Sequence, residues 1–331
     1  MTTILGIDIA QEKFDITLLR DGHDPEIATF DNRQKGFQQL LRFLKRRKCQ
    51  ALHACMEATG VYYEELAHFL HNKGYRVSVV NPLQIKAYAQ SQLRRNKTDR
   101  IDAAIIADFC QTQNPPLWTP PDPSYYELRA LVRHLEDLEN DRQRQRNRLH
   151  AIKHSALPSD VVVANLKRQI DFLSQQIKQV KKQIQDHISQ HPDLKKQRNL
   201  LASIKGIGFL TAAKLLAEYG DMSQFDHVGQ VVAFAGLNPK HRQSGSSVRG
   251  KTHISKIGRS TIRALLYMPA ISAKRYNPLL QPLVKRLQAQ GLCGMEIVVA
   301  VMRKLLHLAF GILKSGQPFD PNYLKKEAAF A

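Results

Sequence analysis

The chain has 331 residues, of which 43% are hydrophobic, and a formal net charge of +20 at pH 7. That hydrophobic content can fill the cores of two or three domains and excludes a disordered tail. The excess of Lys and Arg favours a nucleic acid as partner, because neutralised phosphates supply most non-specific affinity. An uninterrupted apolar run of about 18 residues and an N-terminal signal pattern are both missing, so we expect no membrane partner and a cytoplasmic, nucleoid-associated protein.

The charge is unevenly distributed along the chain. Residues 1–110 carry a net charge of +3 and residues 111–331 carry a net charge of +17, so we expect the two parts to do different work. The chain has four cysteines, and no pair has Cys-x-x-Cys spacing, which argues against a zinc knuckle and against a disulfide framework. Buried free thiols are therefore expected at Cys49, Cys55, Cys110 and Cys293.

The N-terminal third alternates short apolar runs with amphipathic segments. Strands are predicted over residues 4–9, 13–19, 26–30, 51–56 and 76–80, and helices over residues 36–47 and 62–72 and after Pro82. The order β-β-β-α-β-α-β-α matches a ribonuclease H-like (RuvC-like) arrangement, in which a mixed sheet has helices on both faces. We predict such an α/β domain over residues 1–113.

Four carboxylates fall at informative places in that arrangement. Asp8 ends the first predicted strand and Glu57 ends the fourth, and these two strands would be neighbours in the sheet. Asp99 and Asp102 are three residues apart and so share one face of the following helix. Hard divalent cations prefer oxygen ligands, and one or two Mg²⁺ (or Mn²⁺) ions at such an edge can orient a phosphodiester for displacement.

A structural explanation competes with the metal site for part of this set. Asp99 can serve as a helix N-cap with Asp102 as the reciprocating carboxylate of a capping box. Asp8 is harder to explain in this way, because burying an unpaired carboxylate in an apolar strand costs several kcal/mol. The remaining acids of this region, Asp15, Glu64 and Glu65, are expected to be solvated.

The middle of the chain predicts a boundary and a helical hairpin. Residues 114–124 are dense in proline, which is typical of an extended, semi-rigid linker. Residues 125–192 carry two runs of apolar residues at alternating three- and four-residue steps, interrupted at Pro158. This pattern predicts a coiled-coil hairpin or a seam for a second protomer, and hence a homo-oligomer, from dimer to tetramer. A basic strip on this segment, either solvated or in contact with a nucleic-acid backbone, consists of Arg142, Arg144, Arg146 and Arg148.

Residues 193–331 are predicted to be mainly helical. Within them, Gly206 and Gly208 precede a helix in the manner of a helix-hairpin-helix, whose backbone N–H groups bind phosphate at a helix N-terminus. A plain tight turn between packed helices explains the two glycines equally simply.

The stretch from residue 243 to residue 258 is small, basic and rich in hydroxyl groups. It offers Ser244, Ser246 and Ser247 beside glycines that allow close approach of a ligand. Arg249, Lys251 and Lys256 supply positive charge for a phosphate, and no Asp or Glu occurs between Asp226 and Glu296. A serine nucleophile also needs a base or a metal. The loop contains His253 but no carboxylate, so its residues alone favour a phosphate-binding turn over covalent chemistry.

Several motifs, in this order and spacing, resemble the DEDD-type insertion-sequence recombinases, the transposases related to the Piv DNA invertase. The resemblance extends from about Ile4 to about Asp320. The motifs that carry it are Gly6-Ile-Asp8, Glu57-Ala-Thr-Gly60, Asn81-Pro82, Arg95–Asp102, Ala235-Gly-Leu-Asn-Pro239, Ser244–Gly250 and Ile254–Gly258.

The resemblance implies a specific enzyme. It makes Asp8, Glu57, Asp99 and Asp102 the metal-binding set of a RuvC-like domain and Ser244 the nucleophile of the C-terminal transposase domain. It further implies four protomers assembled on a structured guide (bridge) RNA that pairs with donor and target double-stranded DNA. Strand exchange would pass through phosphoserine links and a Holliday-junction-like intermediate, without a high-energy cofactor. The alternatives are a structure-selective DNA nuclease, a DNA invertase without guide RNA, and a non-enzymatic nucleic-acid scaffold.

Overall fold

The computed structural model describes residues 3–49, 51–92, 99–240, 243–244, 248–249 and 253–323. For residues 99–101, 243–244 and 248–249 it describes the backbone. The chain divides into two compact units, Met1–Pro120 and Pro121–Ala331. Each unit has its own hydrophobic core.

The first unit is built on a five-stranded mixed sheet with strand order β3-β2-β1-β4-β5. Its elements are β1 (Thr3–Ile9), β2 (Lys13–Leu19), β3 (Glu26–Asp31), α1 (Gln34–Arg46), β4 (Leu52–Glu57), α2 (Glu64–Asn72), β5 (Arg76–Val80), α3 (Pro82–Ser91) and α4 (Asp99–Gln113). β1 runs antiparallel to β2 and parallel to β4, and β4 runs parallel to β5. The predicted element order is confirmed, and the sheet is consistent with a ribonuclease H-like domain.

Successive side chains of each strand point to opposite faces of the sheet, so each face is formed by alternate residues. On one face, alternate residues such as Leu5, Ile7 and Phe14 pack with the apolar sides of α1 and α2. On the other face, Ile4 and Cys55 pack with residues of α3 and α4. The face that carries α4 is also the face toward which Asp8 points, because Asp8 is in phase with Ile4 and Gly6.

The proline-rich segment begins on the first unit. The amide of Trp118 donates to the Val77 carbonyl of β5 at 2.7 Å, and the indole packs edge-on against His68. The buried Ser78 hydroxyl donates to the Pro116 carbonyl at 2.8 Å, which leaves its oxygen to accept from Nε2–H of His53 at 2.8 Å. The division between the units, after Pro120, falls inside the predicted linker.

The second unit is mainly helical. Its helices are α5 (Pro123–Lys153), α6 (Asp160–Gln190), α7 (Pro192–Ala202), α8 (Phe209–Tyr219), α9 (Val228–Phe234), α10 (Ser260–Tyr276), α11 (Gln281–Ala289) and α12 (Gly294–Ser315), with a short 3-10 helix at Met222–Gln224. Four two-residue strands lie between α9 and α10: β6 (Pro239–Lys240), β7 (Gln243–Ser244), β8 (Val248–Arg249) and β9 (His253–Ile254).

Helices α5 and α6 form an antiparallel hairpin of two 31-residue helices. Near its base, Leu128 and Leu135 of α5 and Ile184 and Ile188 of α6 are fully buried in the same core as residues of α7–α12. At its tip, Leu157 is 92% exposed. The hairpin and the C-terminal helices thus share one core, and the coiled-coil domain over residues 125–192 and the oligomer seam remain predictions.

Three of the four cysteines are buried, as expected, but Cys293 is exposed. Its thiol and the Glu296 side chain form a capping box at the start of α12, so Cys293 sits at a helix end and not in a core. A hydrogen bond to the Cys110 thiol, together with burial, raises the pKa of the Cys55 thiol far above its usual range. Across the described ranges, no helix combines the length and apolar character needed to cross a bilayer.

Candidate catalytic and nucleic-acid-binding sites

Asp8 and Glu57 occupy neighbouring strand ends. β1 and β4 are parallel, with Ile7 paired to Met56, so the next register position brings Asp8 beside Glu57 on the same face of the sheet. Both side chains are half-buried, and the Thr59 hydroxyl donates to Glu57 Oε1 at 2.9 Å. Two carboxylates therefore meet at the edge formed by the carboxyl ends of parallel strands, where ligands of α/β sheets commonly bind.

Helix α4 is packed directly on the sheet through Gly6. A Cβ at Gly6 would lie 2.3 Å from the Ala103 carbonyl oxygen and 2.4 Å from the Ala107 amide nitrogen, so only glycine allows this approach. Ile4, earlier on the same strand face, clusters with the later turns of α4. The first turn of α4, with the half-buried Asp102, consequently lies toward the Asp8 end of β1.

Asp99 is the first residue of α4, and its side chain lies outside the described residues. The structure therefore brings Asp8, Glu57 and Asp102 to one edge and leaves the position of the fourth carboxylate open. The capping-box alternative for Asp99 and Asp102 also stays open. Among the side chains that the structure does describe, no group of three or more His, Cys, Asp or Glu has metal-holding geometry.

The donors at this edge nevertheless suit a hard divalent cation. Carboxylate oxygens are the ligands that Mg²⁺ and Mn²⁺ prefer, and half-burial limits competition from bulk water. Asp8, Glu57 and Asp102 come from three different elements, which is the usual way to hold several oxygens around one point. The residue types fit the ion that the sequence predicts.

A further acid belongs to the same face, and the expectation that it is solvated was wrong. Asp15 of β2 is paired directly with Asp8 of β1 and is only 4% exposed. It accepts a hydrogen bond from the Thr29 hydroxyl, and Lys13 Nζ lies 3.4 Å from its Oδ2. The polar face of β2 is covered because α4 packs across it. Two signals in the sequence could have placed Asp15 on the face of Asp8: the alternation of residues along β2 and the register of the β1–β2 hairpin, which pairs Asp15 with Asp8.

The predicted nucleophile, Ser244, ends a two-residue strand of the second unit. β6 pairs with β9 and β7 pairs with β8, both antiparallel, and we call residues 236–258, which contain these strands, the serine arm. Ser244 is paired with Val248 at the last position before residues 245–247. Ser246, Ser247 and the side chain of Ser244 lie outside the described residues.

Of the three predicted phosphate contacts of the arm, the structure places the side chain of Lys256. Lys256 is exposed and has a φ of 56°, a left-handed conformation that is uncommon for a residue with a side chain. Arg249 is placed by its backbone in β8, and Lys251 lies outside the described residues. One of the three predicted cations is thus placed in full, beside the base of the arm.

No sequence pattern predicted the residues that hold this base. Arg263 Nη1 donates to the Ala235 carbonyl at 2.9 Å and to the Gly258 carbonyl at 3.3 Å. Arg259 Nη1 lies 2.8 Å from Oε2 of Glu218, a carboxylate that is 8% exposed. Glu218 is 41 residues away from Arg259 along the chain, so no local pattern connects the two.

Gly206 and Gly208 lie in different surroundings, so the structure explains them differently. Gly206 has a φ of +112°, and a Cβ there would lie 2.7 Å from the Ala273 Cβ of α10, so this glycine allows helix packing. Gly208 is the exposed N-cap of α8, and a Cβ there would meet nothing within 4 Å. The tight-turn explanation accounts for Gly206, and open space for a phosphate exists at Gly208.

The four arginines of the basic strip lie on two rows of α5. Residues four apart share a helix face, so Arg142 and Arg146 form one row and Arg144 and Arg148 form another, well around the helix. Arg142 is half-buried and the other three are exposed. Arg144 is also within 3.3 Å of the Asp141 carboxylate. The segment therefore presents positive charge on two sides of the hairpin.

Comparison with known protein families gives two matches that together span most of the chain. Residues 5–158 match a family model of DEDD transposases of the IS110 type, described as a transposase. Residues 198–285 match a model described as "Transposase IS116/IS110/IS902 family".

Individual relatives agree with these models. The chain is 36% identical to the pilin gene-inverting protein of Moraxella bovis, over 96% of this chain and 98% of that protein. It is 27% identical to the transposase for insertion sequence element IS1328 of Yersinia enterocolitica, over 80% of this chain and 81% of the relative. It is 25% identical to the transposase for insertion sequence element IS1111A of Coxiella burnetii, over 82% of this chain and 78% of the relative.

Proposed function

This chain belongs to the IS110 family of transposases and related DNA-inverting proteins, and we propose that it exchanges strands between donor and target DNA through a covalent link to Ser244. In this proposal Asp8, Glu57, Asp99 and Asp102 form a metal-dependent site that assists the exchange. The observation that carries the proposal is the meeting of Asp8 and Glu57 at neighbouring strand ends, with α4 packed beside them at Gly6.

The proposed reaction is a pair of transesterifications. Ser244 Oγ attacks a phosphorus atom of the DNA backbone, a serine–phosphate bond forms, and the bond to one deoxyribose oxygen breaks. That oxygen leaves as a hydroxyl after receiving the proton released by serine. The hydroxyl of the exchanging strand then attacks the phosphoserine, rejoins the DNA and regenerates Ser244. Each step makes one phosphoester bond for each that it breaks, so no high-energy cofactor is needed.

The serine arm contains His241 and His253 but no Asp or Glu, and we assign the assistance for this chemistry to the carboxylate edge. A bound divalent cation at the carboxylate edge would lower the pKa of an attacking hydroxyl and neutralise charge on the phosphate. Asp8, Glu57 and Asp102 would hold it, with Asp99 as the fourth ligand. Lys256, Arg249 and Lys251 of the arm would bind the backbone phosphates on either side of the reacting one.

Nucleic-acid partners follow from the same proposal. We assign sequence choice to a structured bridge RNA that pairs with donor and target DNA, since pairing can read sequence while the protein supplies basic surface. The strongly basic residues 111–331 support a polyanionic partner of this size. Arg142, Arg144, Arg146, Arg148 and the open N-terminus of α8 at Gly208 are the proposed backbone contacts, and residues 125–192 are the proposed seam of a dimer or tetramer.

DNA inversion is a second candidate for the biological outcome. The relative of 36% identity is named a pilin gene-inverting protein, and it matches this chain over nearly its whole length. Inversion uses the same strand exchange, with both sites on one molecule and without need of a guide RNA if the protein itself reads the sites. The RNA that co-purifies with the protein separates the two candidates.

Replacing the nucleophile is the first test. With a nicked DNA substrate that traps the intermediate, Ser244→Ala should abolish the covalent protein–DNA adduct and leave DNA and RNA affinity near that of the wild type. Ser246→Ala and Ser247→Ala are the matched controls, since they remove the same hydroxyl from the same arm. An adduct that persists in Ser244→Ala, or is lost in one of the controls instead, overturns the assignment.

The carboxylate edge is tested separately. Asp102→Asn removes one ligand charge without changing side-chain size, and recombination should fall by about 10²–10³-fold, as for other groups that stabilise a transition state. Asp108→Asn, on the same helix with its carboxylate bonded to the Tyr88 hydroxyl, is the control. Full recombination in EDTA would remove the metal from the mechanism, and free cut ends in place of exchanged strands would favour a nuclease.

A further inference from the structure

We propose that Arg263 is a positioning residue for Ser244: its guanidinium clamps the two ends of the serine arm and thereby fixes the direction in which the arm presents its hydroxyl. The inference rests on the proposed function, because it takes Ser244 as the reacting group. Arg263 itself lies on α10, far along the arm from residue 244, and would touch neither DNA nor the reacting atoms.

The geometry of the clamp is specific. Ala235 immediately precedes the arm and Gly258 ends it, and one nitrogen of Arg263 donates to the carbonyl oxygens of both, at 2.9 and 3.3 Å. A charged donor bound to two carbonyls forms stronger hydrogen bonds than a neutral donor does. A single side chain of α10 therefore joins the segment that enters the arm to the segment that leaves it.

The backbone between these points is tied across the arm at three levels. The amides of Ser255, Lys256 and Arg259 donate to the carbonyls of Asn238, Gly236 and Phe234, at 2.7, 3.1 and 2.8 Å. Each bond links one leg of the arm, or the residue beside it, to the other. Farther along the two legs, Pro239–Lys240 pairs with His253–Ile254 and Gln243–Ser244 pairs with Val248–Arg249, both antiparallel.

The base is held in a conformation that is costly for the backbone. Gly236 has a φ of +68°, Lys256 a φ of +56° and Gly258 a φ of +144°, three left-handed positions within one small region. Glycine adopts a positive φ at little cost, whereas Lys256 does so only because its surroundings impose it. A Cβ at Gly258 would lie 2.5 Å from the Gly236 nitrogen, so the two glycines allow the legs to approach closely.

A second arginine fixes this base to the helical body. Arg259 pairs with the buried Glu218 at the end of α8, and its guanidinium carbon lies 4.9 Å from the centre of the Phe234 ring. The Thr261 hydroxyl donates to the same Glu218 oxygen at 3.4 Å. Rotation of the arm about its base would break these contacts together with the bonds of Arg263. The base of the arm is thus bonded to the helical body on two sides, by Arg259 and by Arg263.

Positioning of this kind predicts a defect in rate and not in binding. A displacement of about 1 Å at a reacting group can cost about 10²-fold in rate even when the mutated residue is remote. Arg263→Ala should therefore lower the single-turnover rate of adduct formation by about 10-fold or more, with the DNA dissociation constant within about 2-fold of the wild type. Arg263→Lys keeps one charged donor and should restore part of the rate.

The test uses the full-length protein and two readouts. Hydrogen exchange without DNA, followed by mass spectrometry over residues 253–259, should become about 10-fold faster in Arg263→Ala, while exchange in α8 stays unchanged. Gly236→Ala is the second variant, because its Cβ would lie 2.7 Å from Arg263 Nη1 and its φ of +68° would strain the alanine, so it disturbs the base of the arm without removing charge. Arg275→Ala removes an exposed arginine from the same helix and is the matched control.

The outcomes separate this inference from the function on which it rests. Faster exchange together with slower adduct formation, in Arg263→Ala and Gly236→Ala but not in Arg275→Ala, supports the clamp. Unchanged exchange, or faster exchange with an unchanged rate, overturns it. Absence of any Ser244-dependent adduct in the wild type is a failure of the proposed function, and it is seen before any clamp variant is made.

Discussion

The carboxylate edge of the first unit and the serine arm of the second place their reactive groups in opposite ways. Asp8 and Glu57 are held by strand register inside a five-stranded sheet, and Asp102 is held by a helix that contacts that sheet without a side chain between them. Ser244 lies in a two-residue strand of the serine arm, whose base is bonded to the helices by Arg259 and Arg263.

The difference shows two ways of obtaining precision. In the sheet, backbone hydrogen bonds repeated along whole strands fix the acids, and no single side chain is decisive. In the arm, the contacts that bond its base to the helices come from two arginine side chains. A metal site gains from the first arrangement because its ligands must converge within a few tenths of an ångström, whereas a nucleophile that has to meet DNA gains from the second.

The largest expected effect tests how closely α4 must approach the sheet. Gly6→Ala places a methyl group within 2.4 Å of the α4 backbone, which cannot move as a side chain does. We expect the first unit to lose about 3 kcal/mol of stability, and recombination to be lost because Asp102 moves away from Asp8. Thermal unfolding and a recombination assay measure the two effects.

Gly311→Ala is the matched control for that change. Gly311 lies inside α12, and a Cβ there meets nothing within 4 Å. The same substitution should therefore stabilise the protein by about 0.5–1 kcal/mol through helix propensity. A Gly6→Ala protein that is as stable and as active as the wild type would contradict the direct packing of α4 on β1.

The next effect compares two glycines within the second unit. Gly206→Ala should cost about 1–3 kcal/mol, because it forces a positive φ on alanine and a contact with α10. Gly208→Ala should cost less than about 1 kcal/mol, since its surroundings are open, but should weaken nucleic-acid binding if a phosphate occupies the α8 N-terminus. Unfolding curves and binding isotherms separate the roles, and equal stability losses would contradict the distinction.

The last comparison concerns Asp15. Asp15→Ala removes the buried carboxylate that accepts from the Thr29 hydroxyl and lies 3.4 Å from Lys13 Nζ, and it should cost about 1–3 kcal/mol. Glu65→Ala, an acid of the same unit that is exposed, should change stability by less than about 0.5 kcal/mol. If denaturant unfolding finds the two variants equally stable, Asp15 is not a structural member of the carboxylate face.

Much of the first unit was predictable from local pattern. The alternation in residues such as Leu5, Ile7 and Phe14, and the turn signals between the runs, gave the strands and helices in the right order. Asp15 was mispredicted because a polar residue on a strand is solvated only if nothing covers that face. The helix that covers it, α4, begins 84 residues later, and no local pattern contains that information.

The helices of the second unit were predictable from the sequence, but the contacts that hold the base of the serine arm were not. The helix after Ser260 and the long helix up to Ser315 follow from amphipathic spacing. Arg259 pairs with Glu218, which is distant along the chain. Arg263 donates to backbone carbonyls at both ends of the arm. A carbonyl acceptor has no signature in the amino-acid sequence, because every residue carries one.

The sequence by itself determined the family, the basic character, the order of elements and the set of acids and hydroxyls from which a site is built, because these depend on residue type and short-range spacing. Tertiary structure alone decided that Asp15 joins the face of Asp8, that Gly206 serves helix packing, and that Arg263 closes the serine arm. Those outcomes depend on which surfaces meet in three dimensions, and the same side chain is solvated, buried or bridging according to what packs against it.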